Sequence, residues 1–209
     1  MRLIRDTLVI ATRNKGKVKE FAELFEEFGI NVRSLNDFEN VPEIVEDGAT
    51  FAENALKKAT AVASVLHLPV LADDSGLTVD LLDGKPGVFS ARFAGEKATD
   101  QMNNEKLIAE LRKQTERRGL RNSAPYLSPA QFVCVLALYN PERNEAMQAE
   151  GRCEGFIVEK PRGSLGFGYD PLFYLPEVGK TMAELDTHEK NRISHRARAL
   201  RKLLDKLRS

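Results

Sequence analysis

The sequence predicts an α/β fold in which helices flank a mixed β-sheet. Short apolar runs rich in β-branched residues alternate with longer stretches in which apolar residues recur at helical spacing. Some connections between the predicted strands are too short to hold a crossover helix, so the sheet cannot be wholly parallel. With 209 residues, 42% of them hydrophobic, the chain is long enough to bury a sizeable core. We expect residues 1–209 to form one domain.

The first third of the chain predicts two strands, each followed by a helix. Residues 7–11 (TLVIA) read as a strand, the polar loop TRNKGK follows, and apolar residues at helical spacing predict a helix from Val18 to Phe28. A second strand at 31–35 leads into an acidic loop. The segment TFAE, which starts at Thr50, has capping-box spacing, so we expect a helix to begin there and to stop before Pro69.

The middle of the chain predicts strands, a long loop and a helix. The strand PVLAD is expected to end in a loop at Asp73-Asp74-Ser75-Gly76, before the strand-like LTVDLL. A Gly- and Pro-rich loop, DGKPGVFSARFAG, then precedes a helix from about Thr99 to Arg118. Residues 119–130, rich in Ser, Pro and Gly, are expected to form a surface connection.

The last third predicts long strands and one closing helix. QFVCVLALY and EAMQAEGRCEGFIVEK are strand-like, and PLFYLP follows the Gly-rich GSLGFGYD. Apolar residues then recur at helical spacing to the C-terminus, leaving a face crowded with Arg and Lys. These apolar positions are Ile193, Ala197, Leu200, Leu204 and Leu207.

Composition narrows the class of protein. The 31 basic and 31 acidic residues cancel, so no global positive field is available to hold a nucleic acid. Cys134 and Cys153 lack zinc-ligand spacing and are expected to be buried thiols. No run approaches the ~20 apolar residues of a membrane span, and the N-terminal apolar stretch is shorter than a signal-peptide core. We expect a cytoplasmic enzyme.

A polar loop between the first strand and helix is the first candidate site. Backbone N–H groups, the helix dipole and lysines at such a loop can hold phosphate. The alternative is an ordinary polar turn, since the GxxxxGK[ST] pattern is absent. The candidate residues are Thr12, Arg13, Asn14, Lys15, Gly16 and Lys17.

Paired carboxylates form the second candidate site. Glu46 and Asp47 precede a predicted helix, while Asp73 and Asp74 follow an apolar strand. Such carboxylates can hold Mg²⁺ or act as a base, although loop capping is the other explanation. Ser75 could donate a hydrogen bond to a substrate.

Two further segments carry candidate binding residues. GSLGFGYDP allows a close backbone approach to a planar ligand and exposes an aromatic ring, or it forms a tight hairpin with core aromatics. Near the C-terminus, donors for phosphate or a base carbonyl crowd one segment, which could equally be a solvated helix face. These donors are Lys190, Arg192, His195, Arg196 and Arg198.

Five ordered blocks extend from about residue 7 to 207: IATRNKGKVKEF, EDGATFAENALKKA, LADDSGLTVDLLDGKPGVFSARFAG, GFGYDPLF and AELDTHEKNRISHRARAL. Together they resemble the block series of the inosine triphosphate pyrophosphatase family, whose bacterial members are called dITP/XTP pyrophosphatases. The resemblance implies Mg²⁺-dependent hydrolysis of ITP, dITP or XTP to the monophosphate and pyrophosphate. It also implies an elongated mixed sheet, an active-site cleft between two lobes, and a homodimer.

The resemblance also assigns roles. The loop Thr12 to Lys17 would bind the triphosphate, Asp74 would act as the base and a metal ligand, and Glu46 would be the second metal carboxylate. The remaining substrate-binding positions would be Ser75, Phe167, Gly168, Tyr169, Asp170, Lys190, His195 and Arg196. Among these, the aromatic would lie near the purine, and His195 and Arg196 near its 6-oxo group.

Two departures from the family and two alternatives remain. Arg13 occupies a position that is often small or polar in the family, so it either adds a phosphate contact or points outward. The lengthened segment near 114–130 could alter a dimer surface. A Maf-like pyrophosphatase for pyrimidine or modified nucleotides is the nearest rival function, and a nucleic-acid-binding module built on the basic C-terminal helix is a more distant one.

Overall fold

The computed structural model describes residues 7–26, 28–39, 41–42, 44–119 and 125–208. Helices and strands alternate in the first half of this chain, and strands predominate before two closing helices. In chain order they are β1 (Thr7–Ile10), α1 (Lys15–Glu26), β2 (Asn31–Ser34), α2 (Phe51–Leu66), β3 (Val70–Val79), α3 (Asp100–Arg117), β4 (Ser128–Asn140), β5 (Glu145–Ile157), β6 (Phe173–Leu175), β7 (Lys180–Thr181), α4 (Thr187–Ile193) and α5 (His195–Arg208).

The strands form one seven-stranded mixed sheet in the order β2-β1-β3-β4-β5-β6-β7. Strand β1 runs parallel to both β2 and β3, with Val9 opposite Val70. At the other edge β6 is antiparallel to β5 and to β7. The predicted mixed sheet is therefore confirmed.

The chain divides into two compact units. The first unit comprises residues 1–74, 134–151 and 195–209, and the second comprises 75–133 and 152–194. Strands β3, β4 and β5 contribute residues to both. Whether the chain behaves as one domain stays a prediction.

The first unit has apolar clusters on both faces of β1, because successive strand residues point to opposite sides. Leu8 and Ile10 belong to a cluster with Phe21 and Phe25 of α1 and with the buried leucines of α5. Val9 belongs to a second cluster, which contains the alanine-rich face of α2. The small α2 side chains explain how that helix can pack closely.

Gly151 allows α5 to pack tightly on β5. A Cβ added there would lie 2.2 Å from the His195 carbonyl oxygen and 2.3 Å from the Ala199 nitrogen. Any other residue would therefore push α5 away from the strand. This contact fixes the N-terminal turn of α5, which carries His195 and Arg196.

The second unit has its own core. Leu107 and Leu111 of α3 are completely buried in a cluster with Leu77 and Val79 of β3 and with Phe173 of β6. The predicted helix at about 99–118 is confirmed, with Thr99 as its N-cap. The periodicity that predicted this helix therefore reflects real burial.

The predicted start of α2 is also confirmed in detail. Thr50 Oγ1 accepts the Glu53 N–H at 3.1 Å, and Glu53 Oε2 accepts the Thr50 N–H at 3.3 Å. The helix ends at Leu66, and His67 adopts the left-handed conformation that closes it.

In the described part of the chain, no helix is long and apolar enough to cross a membrane.

Three expectations about local structure were wrong. The strand does not end at Asp73, because β3 continues through Asp73 and Asp74 to Val79. The closing helix is broken at Ser194, whose extended backbone (ψ 157°) separates α4 from α5; serine favours such caps. Finally, residues 128–130 belong to β4, while 120–124 lie outside the described residues.

Candidate active site

The loop between β1 and α1 is held by its own polar side chains. Asn14 Oδ1 accepts the N–H groups of Gly16 at 2.8 Å and Lys17 at 3.1 Å, so Asn14 caps α1. Thr12 Oγ1 in turn accepts the Asn14 N–H at 3.1 Å, and Lys15 is exposed. The loop therefore presents the positive end of a helix together with lysines, a combination suited to phosphate.

Arg13 ties this loop to a neighbouring segment. Its two terminal guanidinium nitrogens donate to the carbonyl oxygens of Leu35 at 3.1 Å and Val41 at 3.0 Å. Asn36 Nδ2 donates back to the Arg13 carbonyl at 3.2 Å. Arg13 thus does not simply point outward, because much of its hydrogen-bonding capacity fixes the backbone around the loop.

Asp73 is the centre of a buried polar cluster in the first unit. It is 1% exposed and accepts from Lys17 Nζ, from Arg196 Nε at 2.9 Å and from Cys134 Sγ at 3.1 Å. Burial opposes its ionisation, but the charges of Arg196 and Lys17 outweigh burial and hold the pKa of Asp73 well below its usual range. Asp73 is therefore a charged anchor in the middle of β3.

Arg196 bridges two buried carboxylates. Besides Asp73, its guanidinium pairs with Glu20 of α1, and the side chains of all three are at most 5% exposed. Burial alone would lower the pKa of Arg196, but the two carboxylates raise it, so the side chain stays charged. This cluster joins α1, β3 and α5, which carry three of the segments predicted to bind substrate.

Glu46, Lys58 and Asp74 form a second charged group in the same unit. Lys58 Nζ lies 2.7 Å from Glu46 Oε1 and 4.0 Å from Asp74 Oδ1. Burial, reinforced by the charge of Glu46 and opposed by that of Lys58, raises the pKa of Asp74 to about 6. Lys58 outweighs burial at Glu46 and lowers the pKa of that carboxyl. The two carboxylates therefore differ in proton affinity, as a base and a permanently charged ligand should.

The donor set at this group fits a magnesium ion. Asp74 Oδ2 is buried and accepts no hydrogen bond from any residue that the structure describes. Within the described ranges no three His, Cys, Asp or Glu side chains cluster as a metal site. Mg²⁺ commonly takes only one or two carboxylates and completes its shell with water and substrate phosphates. Glu46 and Asp74 suffice for that arrangement.

The Gly-rich loop of the second unit is organised by Asp170. Asp170 Oδ2 accepts the Phe167 N–H at 3.0 Å and Lys190 Nζ at 2.7 Å, and Lys190 Nζ also lies 4.9 Å from the centre of the Phe167 ring. Gly166, with φ +77°, leaves room for the carboxylate, because a Cβ there would lie 2.1 Å from Asp170 Oδ2. The arrangement holds an aromatic ring beside a buried ammonium group.

Neighbouring positions of this loop have structural partners. Tyr169 donates its hydroxyl to the Ser90 carbonyl at 2.8 Å, and burial raises the pKa of this phenol. The Gly168 N–H donates to Asp100 at 2.7 Å. Tyr169 therefore belongs to the framework of the loop.

The structure separates the predicted site residues into two sets. The first unit holds Thr12, Arg13, Asn14, Lys15, Gly16, Lys17, Glu46, Asp74, His195 and Arg196, and the second holds Ser75, Phe167, Gly168, Tyr169, Asp170 and Lys190. His195 is buried at the start of α5, and Ser75 is half-buried on β3. Each set contains both charged and hydrogen-bonding groups.

Comparison with known proteins places these residues in a family context. Residues 8–206 match the sequence profile of the Ham1 family. The chain belongs to the Ham1 family. This membership confirms the resemblance drawn from the five sequence blocks.

Relatives in the Ham1 family match almost the full chain. A dITP/XTP pyrophosphatase of Bacillus cereus is 52% identical over 202 residues, which cover 96% of this chain and 94% of that protein. Among solved structures, a HAM1 protein from Coxiella burnetii has a TM-score of 0.81 at 42% identity, covering 96% of this chain and 98% of that one. The Staphylococcus aureus Ham1 protein has a TM-score of 0.78 at 39% identity, covering 97% and 98%.

Three polar residues of this Ham1 site were not found by sequence reasoning. Glu20, Asn54 and Lys58 lie inside helices and are buried, being 4%, 1% and 8% exposed. Their only sequence signal is a polar side chain close to an apolar helical stripe. Since charged and amide groups are seldom buried without a partner, such a position could have been marked as a candidate.

We expect Lys58→Met to raise the pKa of Asp74. Lys58 is the main positive charge favouring the Asp74 carboxylate, so its loss should move that pKa upward. Carbon-detected NMR titration of the metal-free protein measures the shift. Lys57→Met is the matched control, because Lys57 pairs with the exposed Asp47 instead. An unmoved Asp74 titration in Lys58→Met would contradict this electrostatic account.

Proposed function

We propose that this chain hydrolyses the non-canonical purine nucleoside triphosphates ITP, dITP and XTP at the bond between the α- and β-phosphates. The products would be the nucleoside monophosphate and pyrophosphate, which removes these nucleotides from the pool. The observation that carries the proposal is the carboxylate pair Asp74 and Glu46, which lies around Lys58 in the same unit as a phosphate-type loop. The dITP/XTP pyrophosphatase name of a 52% identical relative supports it.

The hydrolytic step needs charge neutralisation and an aligned water molecule more than covalent catalysis. The loop Thr12 to Lys17 would bind the phosphates through its lysines and the positive end of α1. Asp74, with a pKa of about 6, is mostly ionised at neutral pH and would take the proton of the attacking water. Mg²⁺ held by Glu46 and Asp74 would neutralise phosphate charge.

Purine selection would rest on hydrogen-bond donors and one aromatic ring. Phe167 would contact the base, while His195 and Arg196 would provide donors toward the 6-oxo group. Lys190 would be a further substrate-binding residue. Adenine carries an amino group at that position, so buried donors would be left unpaired, and discrimination of order ~10⁴ can result. GTP shares the 6-oxo group, so its exclusion would depend on the 2-position.

A substrate panel tests the proposal. Pyrophosphate release would be measured from ITP, dITP, XTP, GTP, ATP, dTTP and UTP, with and without Mg²⁺. We expect metal-dependent release from the first three and slow reactions with GTP and ATP. Preferred hydrolysis of dTTP or UTP would instead support the Maf-like alternative, and inactivity on every nucleotide would overturn the enzymatic proposal.

We also infer a homodimeric, cytoplasmic protein that works as a single domain. The family resemblance supports the dimer. Cys134 and Cys153 are buried thiols, which suits a reducing compartment. Light scattering coupled to gel filtration would test the dimer, since a monomeric mass at working concentrations would contradict it.

A further inference from the structure

Asn54 is buried at the start of α2 and holds the loop that carries Glu46. It is the fourth residue of that helix and only 1% exposed. Its Oδ1 accepts the Gly48 N–H at 2.8 Å. A Cβ on Gly48 would lie 2.6 Å from the same oxygen, so the close approach requires glycine. One half of the Asn54 carboxamide thus positions the acidic loop.

The other half of the carboxamide has no partner among the described residues. Asn54 Nδ2 is a buried donor that donates to none of them, and Asp74 Oδ2 is a buried acceptor that accepts from none of them. The Asn54 amide faces the Asp74 carboxyl closely enough to act on it as a donor, which lowers the pKa of that carboxyl, but it lacks the geometry of a formed hydrogen bond. An unpaired buried donor destabilises the folded protein, so its presence beside an unpaired acceptor indicates a use.

Asn103 shows what the same arrangement looks like when its role is structural. It too is the fourth residue of its helix, α3, and is 3% exposed. Its Oδ1 accepts the Ala94 N–H at 2.8 Å, as Asn54 accepts that of Gly48. Its Nδ2, however, donates to the Ala91 carbonyl at 3.1 Å. Holding a loop therefore does not require an unpaired amino group.

We propose that Asn54 is a further catalytic residue, whose amino group holds the water molecule that Asp74 activates. The inference rests on the proposed role of Asp74 as the base. A water whose oxygen accepts from Asn54 Nδ2 and whose O–H points to Asp74 Oδ2 satisfies both atoms. As that proton passes to Asp74, the water oxygen bonds to one phosphorus of the α–β anhydride. The bridging P–O bond breaks, and its electron pair leaves with the departing phosphate group.

The test compares Asn54→Ala and Asn54→Asp with the matched control Asn103→Ala. For ITP at saturating Mg²⁺, both Asn54 variants should lose kcat by about 10²-fold, the usual effect of removing one positioned donor. KM, and the Kd of a non-hydrolysable α,β-methylene analogue, should change little. Asn103→Ala should lower Tm by a similar amount as Asn54→Ala yet keep its kcat.

The variants also separate the catalytic role from loop holding. Asn54→Asp keeps an acceptor for Gly48, loses the donor and adds a negative charge beside Asp74, so recovery of kcat even in that variant would assign Asn54 to the loop alone. Gly48→Ala should displace the side chain of an unaltered Asn54 and lower kcat, by less than Asn54→Ala does. This effect remains measurable if Asn54→Ala does not fold. The proposal would be overturned if the kcat of Asn54→Ala equalled that of Asn103→Ala. An inactive wild-type protein in the same assay would instead overturn the underlying pyrophosphatase function.

Discussion

Asp74→Asn should abolish turnover and, at the same time, stabilise the metal-free protein at alkaline pH. Losing the base and a metal carboxylate together should reduce kcat by about 10³-fold or more. In the wild type the Asp74 pKa rises from 3.8 to about 6 on folding, mainly because the carboxyl is buried. Keeping the buried group charged therefore costs about 2–3 kcal/mol of the free energy of unfolding. Asparagine removes that cost.

The direction of the Asp74 pKa shift determines the pH range in which Asp74→Asn stabilises the protein. The raised pKa means that the folded state binds more protons, so the contribution of Asp74 to stability is fully present below its unfolded pKa of 3.8 and is lost as pH rises through about 6. The free energy of unfolding gained in Asp74→Asn should therefore be seen near pH 8 and shrink toward about pH 4. Chemical denaturation in the presence of a chelator measures it, with the exposed Asp47→Asn as control. Retained turnover would remove Asp74 as the base, and a loss of stability near pH 8 would contradict the burial argument.

Arg196→Met should be the most destabilising single change. It would leave Asp73 and Glu20 as buried carboxylates without the cation that bridges them. Removing one partner of a buried ion pair typically costs about 3–5 kcal/mol. Denaturation curves at neutral pH would measure the loss, with Arg198→Met, an exposed position on the same helix, as the control. Equal stabilities of the two variants would contradict the buried bridge.

The ion pairs of Arg196 with Asp73 and Glu20 also affect how the kinetic constants of Arg196 variants should be interpreted. A raised KM for ITP in an Arg196 variant could come from a lost contact to the base or from a disturbed α5. Glu20→Gln separates the two, because it weakens the bridge while leaving Arg196 in place. A contact to the base predicts that Arg196→Met loses selectivity for ITP over ATP while Glu20→Gln keeps it. A purely structural Arg196 predicts that both variants lose activity equally with the two nucleotides and keep the selectivity.

Local sequence patterns predicted most of the fold. The capping box at Thr50 and the apolar stripe of α3 depend on residues a few positions apart, so the sequence displays them directly. The same is true of the loop at Asn14, whose cap bonds reach only the first turn of α1. Elements of this kind are visible without knowledge of the tertiary structure.

The parts of the fold and of the site that the sequence did not predict depend on contacts between distant residues. Glu20 and Arg196 are 176 positions apart, and Asp73 and Arg196 are 123 apart. Because these ions neutralise one another only in the folded chain, nothing local indicates that two aspartates can continue inside β3. Asn54 and Asn103 illustrate the same point. Each is the fourth residue of its helix, and the sequence does not show that the amino group of Asn103 has a partner while that of Asn54 has none among the described residues.

Product analysis of ITP hydrolysis tests the central claim most directly. The wild-type protein, Mg²⁺ and ITP would be mixed, quenched early in the reaction, and resolved chromatographically into nucleotides, pyrophosphate and orthophosphate. Hydrolysis at the α–β bond predicts inosine monophosphate and pyrophosphate in equal amounts from the earliest time point. Inosine diphosphate with orthophosphate as first products would contradict the proposed reaction.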